Sequence, residues 1–276
     1  MARDRYDASP VANVHPVRRI MPFVMPTKNG AFVLFEHEIA TAPLVAFLAD
    51  VNRERPADRP VTMFHCVLRA IGIALTEFPR LNRYISGSRL YARRSVWLAF
   101  SAKQRLEQDA PLFTTKIELV AGEALGPFVD RVLHVLGEGR SGKESATDRE
   151  IKGFLKLPGP ILRAAVKLQH LLDGWNLYPS TLLRDDPLYA SAFVANLGSV
   201  GLDAAFHHLY EYGTIPIFAT MGRVKRAPVV FENGSVGSRE IFVMRYTYDE
   251  RVEDGFYAAR ALERLAACLA DPASLR

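Results

Sequence analysis

The side chains with chemistry in reach are few, and most have a plainer reading. Gly137-Glu138-Gly139-Arg140-Ser141-Gly142-Lys143 comes one residue short of a phosphate-cradling loop, in which glycine amides hold phosphate and a Ser or Thr after the lysine holds magnesium. Here Glu144 follows the lysine and the run comes after a helical pattern rather than a strand, so a solvated loop is expected over 137–149. His207-His208 offers two imidazoles, but neighbours on a strand point to opposite faces and no Cys/His cluster accompanies them. A surface or loop role is expected for the pair, and no metal site. His65 falls inside an apolar helical run and reads as a hydrogen-bonded core residue. No Gly-x-Ser-x-Gly elbow occurs, so a serine hydrolase finds no support. The most informative stretch is Tyr248-Asp249-Glu250-Arg251-Val252-Glu253-Asp254-Gly255, acid-rich and directly ahead of a helix.

These residues must be carried by recognisable elements. Residues 1–30 read as irregular, with Pro10, Pro16, Pro22 and Pro26 breaking any helix and Arg18-Arg19 lying among them. A strand is predicted over 31–39, after the turn signal Asn29-Gly30. Thr41 is placed to cap a helix with Leu44, Val45, Leu48 and Val51 on one face. A second helix, about 62–77, is apolar nearly all round and therefore deeply buried. Strands are predicted over 95–102 and 114–120, and Phe128, Val129, Val132, Leu133 and Leu136 make one face of a third helix. A basic amphipathic stretch covers 150–173, with Lys152, Lys156, Arg163 and Lys167 among Leu and Ile, split by Pro158 and Pro160. It suits a helical pair packed on the domain, or one lying on a membrane or over an apolar ligand. Further strands are predicted over 194–197, 215–221, 229–231 and 239–246, with Asn233-Gly234 turning the last two into a hairpin, and a final helix over about 254–270. Helices and hairpins without regular alternation make the class α+β.

Four pieces of the chain, in order, resemble the catalytic domain of the dihydrolipoyl acyltransferases of 2-oxoacid dehydrogenase complexes and their relative chloramphenicol acetyltransferase. Tyr248 to Leu262 resembles the signature Asp-His-Arg-Val-x-Asp-Gly and the Ala-, Arg-, Phe- and Leu-rich helix after it. Val61 to Ala70, Ala74-Leu75, Phe78-Pro79 and Leu81-Asn82 resemble a buried helix ending in Phe-Pro-x-Leu-Asn. Phe193 to Gly201 resembles the strand and turn Phe-Thr-Ile-Ser-Asn-Leu-Gly-x-x-Gly, and Ile217 to Val224 the strand before the last hairpin. The resemblance spans roughly 15–272. It implies a two-layer sandwich of a mixed sheet and helices, one continuous domain over 1–276 with an irregular tail at 1–14. It also implies a homotrimer or higher assembly with active sites between subunits, and an insertion at about 145–190.

In that family a histidine takes the proton of the attacking thiol or hydroxyl, and a Ser or Thr hydroxyl steadies the oxyanion. Mapped onto this chain, the histidine position holds Glu250 and the hydroxyl position Ala195. Asp254 and Gly255 of the signature remain, and the family's aspartate holds an N-terminal arginine, a part open here to Arg18 or Arg19. Asn196 and Ser199 are sequence neighbours that could donate to an oxyanion, and His207 or His208 could approach from the following loop. Three functions stay open. The chain is a homologue whose acyl transfer is lost or altered and which binds or assembles. Alternatively, Glu250 is an unusual base and coenzyme A or a carrier protein brings the acyl group, with no covalently bound cofactor. As a third reading, the 150–173 stretch meets a partner or membrane.

Composition sets the outer bounds. At 276 residues, 49% hydrophobic and 24% charged, the chain is too ordinary for disorder or a collagen-like repeat. A net charge of +5 tolerates anionic partners without calling for nucleic acid. Two cysteines, Cys66 and Cys268, are too few for a disulfide framework and fit a reducing cytosol. No run of about 18 apolar residues suggests a membrane span, and the first residues lack a secretion signal, so a cytoplasmic protein is expected.

Overall fold

In the computed structural model, residues 3–142 and 152–276 are described, apart from 106, 108, 154 and 232. The chain runs β1 (Ala8–Pro10), α1 (Pro16–Val24), β2 (Phe32–Ala40), α2 (Ala42–Val51), α3 (Met63–Glu77), β3 (Arg83–Ser86), β4 (Arg89–Arg93), β5 (Val96–Lys103), β6 (Leu112–Leu119) and α4 (Leu125–Arg140). It continues through α5 (Gly159–Gly174), α6 (Ser180–Arg184), β7 (Ala192–Asn196), β8 (Ile217–Met221), β9 (Lys225–Val230), β10 (Val236–Asp249) and α7 (Gly255–Ala270).

Seven strands make one mixed sheet in the order β2-β10-β8-β7-β5-β6, with β9 pairing the first half of β10. β5, β7 and β8 run parallel, and the other pairings are antiparallel. β8 is buried at every residue, as an inner strand covered on both faces must be. On one face α2, α3, α4 and α7 bury the main core, including Leu44, Leu68, Phe128 and Leu265. On the other, Phe193 and Phe218 pack beneath Leu209, Ile215 and Tyr210. The expected two-layer α+β sandwich is therefore what this sequence forms.

α3 shows why. Its apolar residues are distributed around the whole helix, and ten of the eleven positions from His65 to Leu75 are buried. Its start is fixed by a capping box in which the Thr62 N–H donates to Nδ1 of His65 at 3.1 Å. His65 is thus the buried, hydrogen-bonded residue expected. Thr41 does precede α2, but its hydroxyl donates to the Glu240 carbonyl at 3.1 Å instead of capping the helix.

The N-terminal thirty residues are a correction. Prolines do not prevent a helix there: Pro16 begins α1, where its missing N–H leaves no bond unmade, and only Pro22 sits inside. Residues 8–10, within the stretch expected to be an irregular tail, form β1 and pair with β4. A small second sheet, β1-β4-β3, results. Gly137 to Arg140, expected as loop, complete the last turn of α4, and 143–149 lie outside the described residues.

Candidate functional site

The run after β10 is organised by two buried ion pairs. Asp249 and Arg251 are 1% and 3% exposed and meet as a fork, Nε to Oδ1 at 2.8 Å and Nη2 to Oδ2 at 2.7 Å. The remaining Nη1 donates to the Met25 carbonyl at 3.0 Å, tying the turn to the end of α1. Glu253 is equally buried and is surrounded by Arg80 and Arg83, each at 3.3 Å, and Arg18 at 3.8 Å. Its Oε1 also accepts from the Asp254 N–H at 3.1 Å. Asp254 itself is exposed and caps α7, accepting from the Tyr257 N–H at 2.9 Å; that bond first, with Arg18 and Arg80 nearby, holds its carboxyl below the ordinary carboxylate range.

Inside the first pair, between Asp249 and Arg251 in the chain, stands Glu250. Its N–H donates to Ala31 and its carbonyl accepts from Arg18 at 2.8 Å, so the backbone is held from both sides. Among the described residues its half-buried carboxylate has no hydrogen bond or ion pair. Beside it the Tyr248 hydroxyl is buried without a hydrogen-bond partner. Burial, aided by the charge of Glu250, pushes that phenol up to about 12.

The N-terminal arginine of the site is Arg18, not Arg19, which is exposed. Arg18 meets the Glu250 carbonyl and the Glu253 carboxylate, so Asp254 caps a helix instead of forming the ion pair expected for it. Glu253 and its three arginines were not singled out in the sequence. Arg18, Arg80 and Arg83 come from α1, the α3–β3 turn and β3, and no local pattern joins them.

Ala195 sits at the far end of β7, opposite Thr220 of β8, with its methyl against the Phe193–Phe218 cluster. The hydroxyls beside it already donate to backbone carbonyls. The Thr220 hydroxyl donates to the Ala205 carbonyl at 2.7 Å. The Ser199 hydroxyl donates to the Asn196 carbonyl at 2.7 Å, and the Asn196 side chain accepts from the Ser199 N–H at 3.1 Å. Gly198 permits this turn: a Cβ there would lie 2.6 Å from the Gly222 carbonyl oxygen.

Glu250 and Ala195 do not meet within one chain. The Asp249 N–H bonds to Pro216, whereas Ala195 pairs with Thr220, four residues further along the same strand. At ~3.3 Å per residue that places the two positions roughly 13 Å apart along the strand, on top of their lateral separation. The covering segment connects these ends, from Ala205 at Thr220 to Leu209, whose N–H donates to Asn29. His207 and His208 lie on it. Their rings do not diverge as expected of a strand but stack at 4.5 Å, because residues 202–210 are not extended in a sheet. His207 also stacks on Phe218 at 3.9 Å, and burial lowers its pKa. Neither cysteine offers a nucleophile; both are buried, and burial pushes the Cys66 thiol up to about 12.

Comparison with known proteins agrees with this architecture. The family model of the 2-oxoacid dehydrogenases acyltransferase (catalytic domain) matches residues 10–150 and 181–276, passing over 151–180 within the expected insertion. A probable dihydrolipoamide acetyltransferase from Listeria monocytogenes is 15% identical, with 95% of this chain and 94% of that one covered at a TM-score of 0.62. The dihydrolipoamide acetyltransferase of Azotobacter vinelandii, in a structure concerned with a serine, a histidine and an asparagine in its catalytic mechanism, is 19% identical, with 96% and 94% covered and a TM-score of 0.62. A chloramphenicol acetyltransferase is 12% identical, with 95% and 99% covered and a TM-score of 0.57. No curated protein matches the sequence. Structural likeness at such identities speaks for the fold, whereas the family match extends over well more than half of the residues. This chain belongs to the 2-oxoacid dehydrogenases acyltransferase (catalytic domain) family.

Proposed function

We propose that this chain is an acyltransferase-family subunit that has lost ordinary histidine-driven acyl transfer and serves in binding or assembly, still able to receive a thioester arm. The observation that carries the reading is the pair of replacements at the two sheet ends: Glu250 where the family has its base, and Ala195 where it has its oxyanion donor. The base must take a thiol proton so that the thiolate attacks the acyl thioester. A thiol lies about 2 pKa units above an imidazole but about 4 above an ordinary carboxylate, an added cost near 3 kcal/mol. Loss of one oxyanion donor costs about 3 kcal/mol more. Together they correspond to a factor of ~10⁴. The Ser199 and Thr220 hydroxyls offer no ready substitute, since each already donates its proton to a backbone carbonyl.

A second reading keeps the enzyme active, with Glu250 as base and a coenzyme A or carrier-protein thioester as acyl donor. The unpaired Glu250 carboxylate beside the unpartnered Tyr248 hydroxyl favours it. In either reading the assembly is a homotrimer or larger, because a second copy is what would bring a Glu250 end to an Ala195 end.

An acyl-transfer assay over several acyl-CoA donors separates the two. Wild type inactive, with activity gained in Glu250→His combined with Ala195→Ser, supports the first reading. Wild-type activity that disappears in Glu250→Gln overturns it in favour of the second. Light scattering that finds a stable monomer would remove the assembly role.

A further inference from the structure

α5 lies among the residues that the family match passes over, so the family's shared site assigns it no task. One side of it rests on the protein. Leu162, Ala165, Gln169 and Leu172 are half-buried, and the Gln169 amide donates to the Tyr212 hydroxyl at 2.9 Å. At its end the Gly174 backbone abuts the β3–β4 turn so closely that a Cβ on Gly87 would come 2.0 Å from the Gly174 oxygen.

The other side is bare. Ile161, Ala164, Leu168, Leu171 and Trp175 recur three and four residues apart and so form one stripe along the helix. All are exposed; Leu168 is 54% and Trp175 64% accessible. Immediately beside them a second exposed stripe carries Arg163, Lys167 and His170. The helix has a single acid, Asp173, and Arg5 engages it. An apolar band running next to a basic band, closed by a tryptophan, is the chemistry of a helix lying in the headgroup region of an anionic bilayer. At 16 residues, about 24 Å long and charged along one side, it is too short to span.

We propose that α5 is a peripheral anchor for an anionic lipid surface, with Leu168, Leu171 and Trp175 entering the boundary region and Arg163 and Lys167 meeting the headgroups. Self-association through the same face is disfavoured, because a second copy brings no free acid to Arg163 and Lys167: the one acid of the helix, Asp173, is held by Arg5. The proposal is independent of whether the acyl-transfer site is active.

Co-sedimentation of the full chain with phosphatidylcholine vesicles, with and without about 30% phosphatidylglycerol, tests it. The wild type should sediment with the anionic vesicles and stay in solution with the neutral ones. Each lost charge weakens binding about fivefold, so Arg163→Gln with Lys167→Gln should weaken it about 25-fold. Leu168→Ser with Leu171→Ser should abolish it. All four positions are exposed, and an unchanged circular-dichroism spectrum confirms that the variants fold. Tryptophan emission should shift to the blue on vesicle addition in the wild type and not in Trp175→Phe, where Trp97 alone remains. No binding to anionic vesicles, or binding that the helix variants leave intact, overturns the proposal. So does lipid-free self-association abolished by Leu168→Ser with Leu171→Ser, which would show that a second copy covers the stripe.

Discussion

Asp249 and Arg251, two residues apart at the end of β10, face one another in a buried bidentate fork that leaves the intervening Glu250 carboxylate unpaired. The turn is therefore held by its neighbours and not by Glu250 itself. Asp249→Asn leaves a buried guanidinium without its counter-charge and should cost about 3–5 kcal/mol in denaturant unfolding. Glu250→Gln removes no hydrogen bond of the folded chain and should change stability by no more than about 0.5 kcal/mol. If the two variants were equally damaging, this division of labour would be wrong.

Glu253 is the second fixed point. Removing its charge as Glu253→Gln leaves Arg18, Arg80 and Arg83 facing one another and should destabilise the fold by about 2–4 kcal/mol. Arg80→Gln, at a guanidinium half open to solvent, should cost under about 1 kcal/mol. Urea midpoints of the two variants measured side by side check the ordering.

His65 gives the fold a pH dependence of known sign. Burial lowers its pKa to about 4 from an ordinary 6.5. Above 6.5 both states are neutral and nothing is lost. As pH falls from 6.5 to about 4, the unfolded chain binds a proton that the folded chain refuses. Stability should therefore drop across that window, by about 3 kcal/mol at its lower end. In His65→Gln the side-chain oxygen can still accept from the Thr62 N–H while the titrating ring is gone, so this part of the profile should flatten; an unchanged slope would assign the acid sensitivity elsewhere.

Gly198 is required by space. In Gly198→Ala the new methyl meets the Gly222 carbonyl oxygen at 2.6 Å, an atom of the backbone that cannot rotate away. The expected cost is about 1–3 kcal/mol, read as a melting temperature lower by several degrees. A gain in stability would show that the Asn196 turn has slack.

Elements carried by their own periodicity were legible. α3, α7 and the β9–β10 hairpin follow from apolar spacing and from Asn233-Gly234, where Gly234 takes φ 79°. The β3–β4 hairpin was not found, because its turn uses Gly87-Ser88, with φ 54° and 60°, rather than an Asn-Gly pair. α1 was hidden by a proline at its first position, which reads as a breaker until the helix start is known.

The sequence by itself determined the side chains of the run Tyr248 to Gly255, Glu250 among them, Asp254 as the residue before α7, and the α+β class. Those facts are local, since residue type and spacing a few positions apart suffice. Only the tertiary structure decided that of Arg18 and Arg19 it is Arg18 that reaches Glu253, that Glu253 gathers three arginines, and that Glu250 and Ala195 stand at opposite ends of the sheet. Each of these depends on strand register and on helices docking from distant segments, relations set by packing between parts of the chain that no local pattern connects.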